Sequence, residues 1–118
     1  MKWYLDFGHG GKDSGALGTN KTKESDTVLK IGMLIKNNLE QAFEKVVTTR
    51  EDDKYYSLDY RSSKANKENC DYFISIHLNS ATNTSAKGCE IWLYQTKQLT
   101  VKRGTFTRLL TSLKMMQG

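Results

Sequence analysis

The chain has 118 residues, 37% hydrophobic and 26% charged, with a formal net charge of +5. That length allows one domain with its own core and requires no disulfide framework. No run approaches the roughly 18 apolar residues of a membrane span, and Asp6 interrupts what would be the apolar stretch of a secretory leader. The expectation is therefore no membrane partner. The chain is either made in the cytoplasm without a signal peptide or is a domain of a longer secreted protein.

In chain order, KWYLDF (2–7) reads as a buried strand, aromatic-rich and ended by glycine. Residues 8–24 hold Gly8, Gly10, Gly11, Gly15 and Gly18 and form a long irregular loop. Loops of that length inside a compact domain are usually functional. Residues 25–45 are a helix, with Ser25, Asp26 and Thr27 as N-cap candidates. Val28, Ile31, Gly32, Ile35, Leu39, Ala42 and Phe43 recur along one stripe of it at helical spacing. VVTTR (46–50) is a short β-branched strand, 57–69 a second helix, and DYFISIH (71–77) and CEIWLY (89–94) two more strands. The alternation β-α-β-α-β points to an α/β fold, a mostly parallel sheet flanked by helices.

Cys70 and Cys89 lie beside apolar strand segments and read as buried free thiols, being in no close C-x-x-C pair. Residues 101–118 differ in character. Lys102, Arg103, Arg108 and Lys114 occur there with no acid, and they account for most of the net charge. No nucleic-acid motif accompanies them, so a solvated helix face is expected rather than a nucleic-acid partner. Phe106, Leu109, Leu110 and Leu113 follow helical spacing, which predicts a helix over 103–116.

The only histidines, His9 and His77, each follow a predicted strand directly. In open α/β sheets ligands bind at the carboxyl ends of parallel strands, so two such strands would bring both imidazoles to one edge. Glycines around His9 leave space for a sharp turn. Catalytic zinc commonly takes two histidines and one carboxylate and leaves a fourth position open. Glu24, at the end of the glycine loop, fits the missing acid; Asp13 and Asp26 are rivals on spacing alone. The competing reading has two histidines that only hydrogen-bond at strand ends. A serine triad has no glycine elbow around Ser75 or Ser80, and the loop matches neither nucleotide-binding glycine pattern.

DFGHGGKDSGALG (6–18), Glu24 ahead of VLKIGMLIKNNLE, TTREDD (48–53), LDYRSSKAN (58–66), DYFISIHLNS (71–80) and KGCEIWLY (87–94) occur together in this order. In this the chain resembles the zinc-dependent N-acetylmuramoyl-L-alanine amidases of autolysins and phage endolysins, over about residues 2–94. The resemblance implies that His9, Glu24 and His77 bind Zn2+, and that Asn79 and Ser80 bind substrate or orient the loop after His77. It implies Asp13 as a support of the His9 loop, and Arg50 and Arg61 as structural residues. The implied partner is peptidoglycan, cut at the amide between the lactyl group of N-acetylmuramic acid and L-alanine. Zinc would polarise that carbonyl and bring the pKa of a water toward ~7.

The family also carries a general acid/base glutamate on a later strand, which would fall beyond Gly118; Glu90 matches an earlier strand and is not that residue. The expectation is thus a domain missing its C-terminal part, with an amidase-like core at 1–94 and a divergent basic helical tail at 95–118. General acid–base help is worth ~10²–10⁴-fold, so the activity would be impaired, or the chain would be a non-catalytic zinc-containing peptidoglycan-binding remnant. The 103–116 helix could cover the exposed sheet edge or mediate self-association. Action on the cell wall would follow lysin-like release or secretion within a longer protein.

Overall fold

A computed structural model describes residues 1–78 in full and, beyond them, the backbone of 89–95 and 111–115. Its elements are β1 (Lys2–Phe7), a short 3-10 turn (Thr19–Lys21), α1 (Glu24–Gln41), β2 (Lys45–Thr48), α2 (Leu58–Lys67), β3 (Tyr72–Leu78), β4 (Cys89–Gln95) and β5 (Thr111–Met115). They form one sheet in the order β2-β1-β3-β4-β5. β1 pairs in parallel with both β2 and β3.

Side chains alternate across β1, and each face buries a different helix. Leu5 and Phe7 pack with Val28 of α1 and Ile76 of β3, all fully buried. Tyr4 packs with Ala65 of α2 and with Cys70, against Val47 and Phe73. Each large apolar side chain so buried contributes ~1.5–3 kcal/mol. β1 is therefore covered on both faces, which accounts for its near-continuous apolar character. Burial pushes the Cys70 thiol up to about 11.

The α/β expectation holds, with the parallel part confined to β2-β1-β3. β4 runs antiparallel to β3, and β5 antiparallel to β4. The connection from Leu78 to Cys89 is shorter than the dozen or more residues that a parallel crossover needs.

The helix expected from residue 25 starts at Glu24 and uses none of Ser25, Asp26 or Thr27 as a side-chain cap. Its first N–H groups are met instead by loop carbonyls, Glu24 N–H by Ala16 and Ser25 N–H by Ser14. It ends at Gln41, short of residue 45, because Phe43 turns to φ 63° and Glu44 N–H returns to the Leu39 carbonyl. This is the left-handed closure usually given to glycine.

The helix expected over 103–116 is corrected at Thr111–Met115, which is strand β5, with Leu113 opposite Ile91 and Ser112 opposite Trp92. The helical stripe is a local signal. β5 answers a distant one, the open edge of β4, and β-branched threonine suits that pairing. The remainder of that segment lies outside the described residues.

Gly32 of α1 crosses Phe7 so closely that an added Cβ would stand 2.7 Å from Phe7 Cζ. Alanine there gains ~1 kcal/mol of helix propensity but overpacks the core, which typically costs ~1–3 kcal/mol. Gly32→Ala is therefore expected to be destabilising by about 1 kcal/mol in urea unfolding.

Candidate metal centre

β1 delivers the chain to the site through Gly8. The parallel register continues one step past Phe7 and Ile76, with Gly8 N–H donating to the Ile76 carbonyl at 3.1 Å. This sets Gly8 beside His77, and the imidazole lies across it: a Cβ on Gly8 would stand 2.6 Å from His77 Nδ1. His9 follows at φ 62°, a backbone region that few residues other than glycine adopt. Reciprocal backbone hydrogen bonds between Gly10 and Asp13 close the turn behind it. Gly15, at φ 65°, leaves no room for a side chain either, since its Cβ would be 2.6 Å from both Glu24 Oε2 and His9 Cδ2.

Glu24 opens α1, where the helix dipole favours a carboxylate. It is only 6% exposed. Ala16 N–H donates to its Oε2 at 2.8 Å and Leu78 N–H to its Oε1 at 2.9 Å. Two backbone donors from separate segments thus fix both oxygens. Oε1 lies 3.1 Å from His9 Nε2 and 3.4 Å from His77 Nδ1, and the two ring nitrogens are 3.2 Å apart.

The opposite nitrogen of His9, Nδ1, is 2.9 Å from Asp13 Oδ2, and that contact holds the Asp13 carboxyl below the usual carboxylate range. A carboxylate only accepts, so Nδ1 bears the proton in the neutral ring and the Nε2 lone pair faces Glu24. Lone pairs converging on one point repel unless a proton or a cation lies among them. Ligands of a tetrahedral zinc at 2.0–2.1 Å stand about 3.3 Å apart, the spacing found here. His9, Glu24 and His77 can hold a metal ion. The Asp13–His9 contact has the form of the outer carboxylate that metal-bound histidines commonly use. Both imidazoles keep partial exposure, 24% and 31%.

The sequence profile of the N-acetylmuramoyl-L-alanine amidases matches residues 4–115. The chain belongs to that amidase family. It is 40% identical over 97 residues to the N-acetylmuramoyl-L-alanine amidase AmiC of Escherichia coli, covering 81% of this chain and 23% of that protein. It is 45% identical over 92 residues to the endolysin of Bacillus phage SPP1, covering 77% and 33%. Among solved structures, the amidase AmiC2 of Nostoc punctiforme superposes with TM-score 0.68 at 41% identity, over 70% of this chain and 46% of that one. The catalytic domain of the amidase CwlV from Bacillus (Paenibacillus) polymyxa gives TM-score 0.69 at 34% identity, over 72% and 49%. The chain thus spans about a quarter to a third of those two curated relatives.

In this member of the amidase family, two buried arginines hold the segment that carries His9. Arg50 donates to the carbonyls of Phe7, Gly8 and Ser25, tying the end of β1 to the start of α1. Arg61, from α2, donates to the carbonyls of Phe7 and His9 and to Asp6 Oδ1. Their structural reading stands: each satisfies main-chain acceptors beneath the site. Asp6 also accepts from Ser75 and Thr49, and Tyr4 donates in turn to Thr49. Burial pushes the Tyr4 phenol well above its ordinary value, which keeps that donor proton in place.

Of the residues singled out in the sequence, His9, Glu24 and His77 come together, and Asp13 stands behind His9. Asp26 is exposed on α1 and outside the group. Asn79 and Ser80 lie outside the described residues. Asp6 and Thr49 were not anticipated as parts of the site's support. The available signal was polarity out of place, an aspartate and a serine at matched positions of two otherwise apolar strands.

Arg61→Ala would leave the Asp6 carboxylate buried without its cation and the Phe7 and His9 carbonyls short of a donor. Breaking a buried pair from one side typically costs ~3–5 kcal/mol. A loss of that size is expected in chemical denaturation. Arg61→Lys should recover only part of it, because one ammonium cannot reproduce the planar fork.

Proposed function

We propose that this chain hydrolyses the amide between the lactyl group of N-acetylmuramic acid and L-alanine in peptidoglycan, with Zn2+ held by His9 Nε2, Glu24 Oε1 and His77 Nδ1. The observation that carries this reading is the mutual 3.1–3.4 Å spacing of those three atoms in a chain of the amidase family. Zinc bound there supplies Lewis-acid polarisation of the scissile carbonyl and acidifies a water to a pKa near ~7.

The chain's own residues prepare that chemistry. Asp13 keeps the His9 proton on Nδ1, so Nε2 presents its lone pair. Ala16 and Leu78 N–H groups hold the Glu24 carboxylate against rotation, and Gly8 and Gly15 let the two imidazoles and the carboxylate approach. Asn79 and Ser80, which follow β3 directly, are assigned to substrate. The target is the cell wall; no helix among the described residues is long and apolar enough to cross a membrane.

A second reading is a zinc-holding domain that binds peptidoglycan with little cleavage, since His9, Glu24 and His77 can hold a metal ion without any further residue. Residues 1–94 would then serve as the metal-binding core, with 95–118 as its appendage.

Digestion of purified cell wall, followed by mass spectrometry of the soluble products, separates the two. The amidase reading expects peptides with a new free L-alanine amine, abolished by chelator, restored by added zinc and absent with His77→Ala. A folded, zinc-loaded chain that releases no such peptide but still sediments with cell wall would establish the binding reading instead.

A further inference from the structure

The loop between β2 and α2 closes over the turn that carries His9. Asp53 Oδ1 accepts from Gly11 N–H at 2.8 Å, and a Cβ on Gly11 would stand 2.7 Å from Tyr55 N. Tyr55 is thereby set against the His9 segment, and its ring receives Lys12, the residue before Asp13, with Nζ 4.5 Å from the ring centroid.

Two further tyrosines continue from it. Tyr56 and Tyr60 stack with centroids 4.6 Å apart, Lys54 Nζ lies 5.7 Å from the Tyr56 ring and Lys64 Nζ 6.0 Å from the Tyr60 ring. Cation–π contacts occur about once per 70–80 residues, so their concentration on neighbouring tyrosines marks this strip. Tyr55 and Tyr60 remain 41% and 42% exposed. Arg61 donates to the carbonyls of both Tyr56 and His9, which fixes the strip to the metal centre. Lys64 is itself tied to the Thr48 carbonyl. An exposed lysine gains only ~0.5–1 kcal/mol over a ring, so Lys12 and Lys54 can give way to a ligand.

The surrounding charges select the kind of ligand. Glu51, Asp52, Asp53 and Asp59 are interleaved with these lysines, whereas a phosphate polymer is held by cations that neutralise it. A pyranose ring instead offers weakly positive C–H groups, which match the negative face of an aromatic ring. Its hydroxyls can donate to carboxylates and accept from ammonium groups.

We propose that Tyr55 and Tyr60, with Tyr56 behind Tyr60 and Lys12 and Lys54 beside them, form a subsite for the glycan strand of peptidoglycan. The inference rests on peptidoglycan as the target and deepens that reading: the metal centre meets the amide while the tyrosine strip holds the sugar chain.

Peptide-free glycan strands, prepared from purified cell wall and titrated into the 118-residue chain by calorimetry, test this. Tyr55→Ala and Tyr60→Ala are each expected to weaken strand binding about 3–10-fold, the worth of one aromatic ring contact. Zinc affinity should stay within about twofold of the parent in both, because neither ring belongs to the donor set. Strand binding unchanged in the double variant would overturn the proposal and leave the amidase reading standing. So would a parent that binds intact cell wall but not peptide-free strands, since recognition would then lie with the peptide. Single-stranded DNA bound as tightly as the glycan would also refute it. A folded, zinc-loaded parent that neither binds nor cuts cell wall would overturn both readings.

Discussion

Arg50 and Arg61 converge on the carbonyls of Phe7, Gly8 and His9, the three residues by which β1 runs into the site. A strand that ends inside a protein leaves acceptors with no ladder partner, and unpaired buried acceptors are costly. Two guanidiniums from different elements meet that need with fixed forks. In doing so they hold His9 in a backbone conformation that few residues other than glycine adopt. The imidazole is thereby aimed before any ligand arrives. Asp6, beneath them, supplies the countercharge to Arg61 and also accepts from Thr49 and Ser75.

On that base, close approach becomes possible through the absence of side chains. Gly8 makes room for the His77 ring, and Gly15 makes room for Glu24 and the His9 ring together. The glycines flanking His9 therefore serve two needs. Some supply a turn, while Gly8 supplies a floor on which the second histidine lies. The centre they allow is three inward-facing donor atoms at about the separation a tetrahedral cation would impose. Its electrostatics are unfavourable when empty and favourable around a positive ion, which is the physical content of the proposed zinc site.

The antiparallel half of the sheet continues from the strand that carries His77. A parallel continuation would have required a crossover helix between Leu78 and Cys89. The short antiparallel return instead sets β4 against β3 residue by residue, with Glu90 at the His77 position. Family membership and the superposed amidase structures account for the core of this arrangement, while the chain aligns with only part of each relative. Activity on peptidoglycan thus remains a proposal about chemistry, carried by the site rather than by the fold.

Much of this was legible in the sequence. Strand β1, the long helix, and the placement of both histidines after strands follow from local pattern, because apolar periodicity and glycine breaks are short-range signals. So does the α/β class. Spacing alone left Asp13 and Asp26 as rivals of Glu24 for the third ligand, and the family resemblance singled out Glu24. Folding supplies the physical difference: Glu24 is turned inward by two backbone donors, Asp13 is drawn behind His9, and Asp26 is left in solvent. The early end of α1 at Gln41, closed by Phe43, and the strand at Thr111–Met115 were likewise invisible to periodicity. One depends on a left-handed closure without glycine, the other on the free edge of a distant strand. The sequence by itself determined which residue types could reach the edge of the sheet. The tertiary structure decided which atoms face one another there, because register and buried hydrogen bonds are settled between segments that are far apart in the chain.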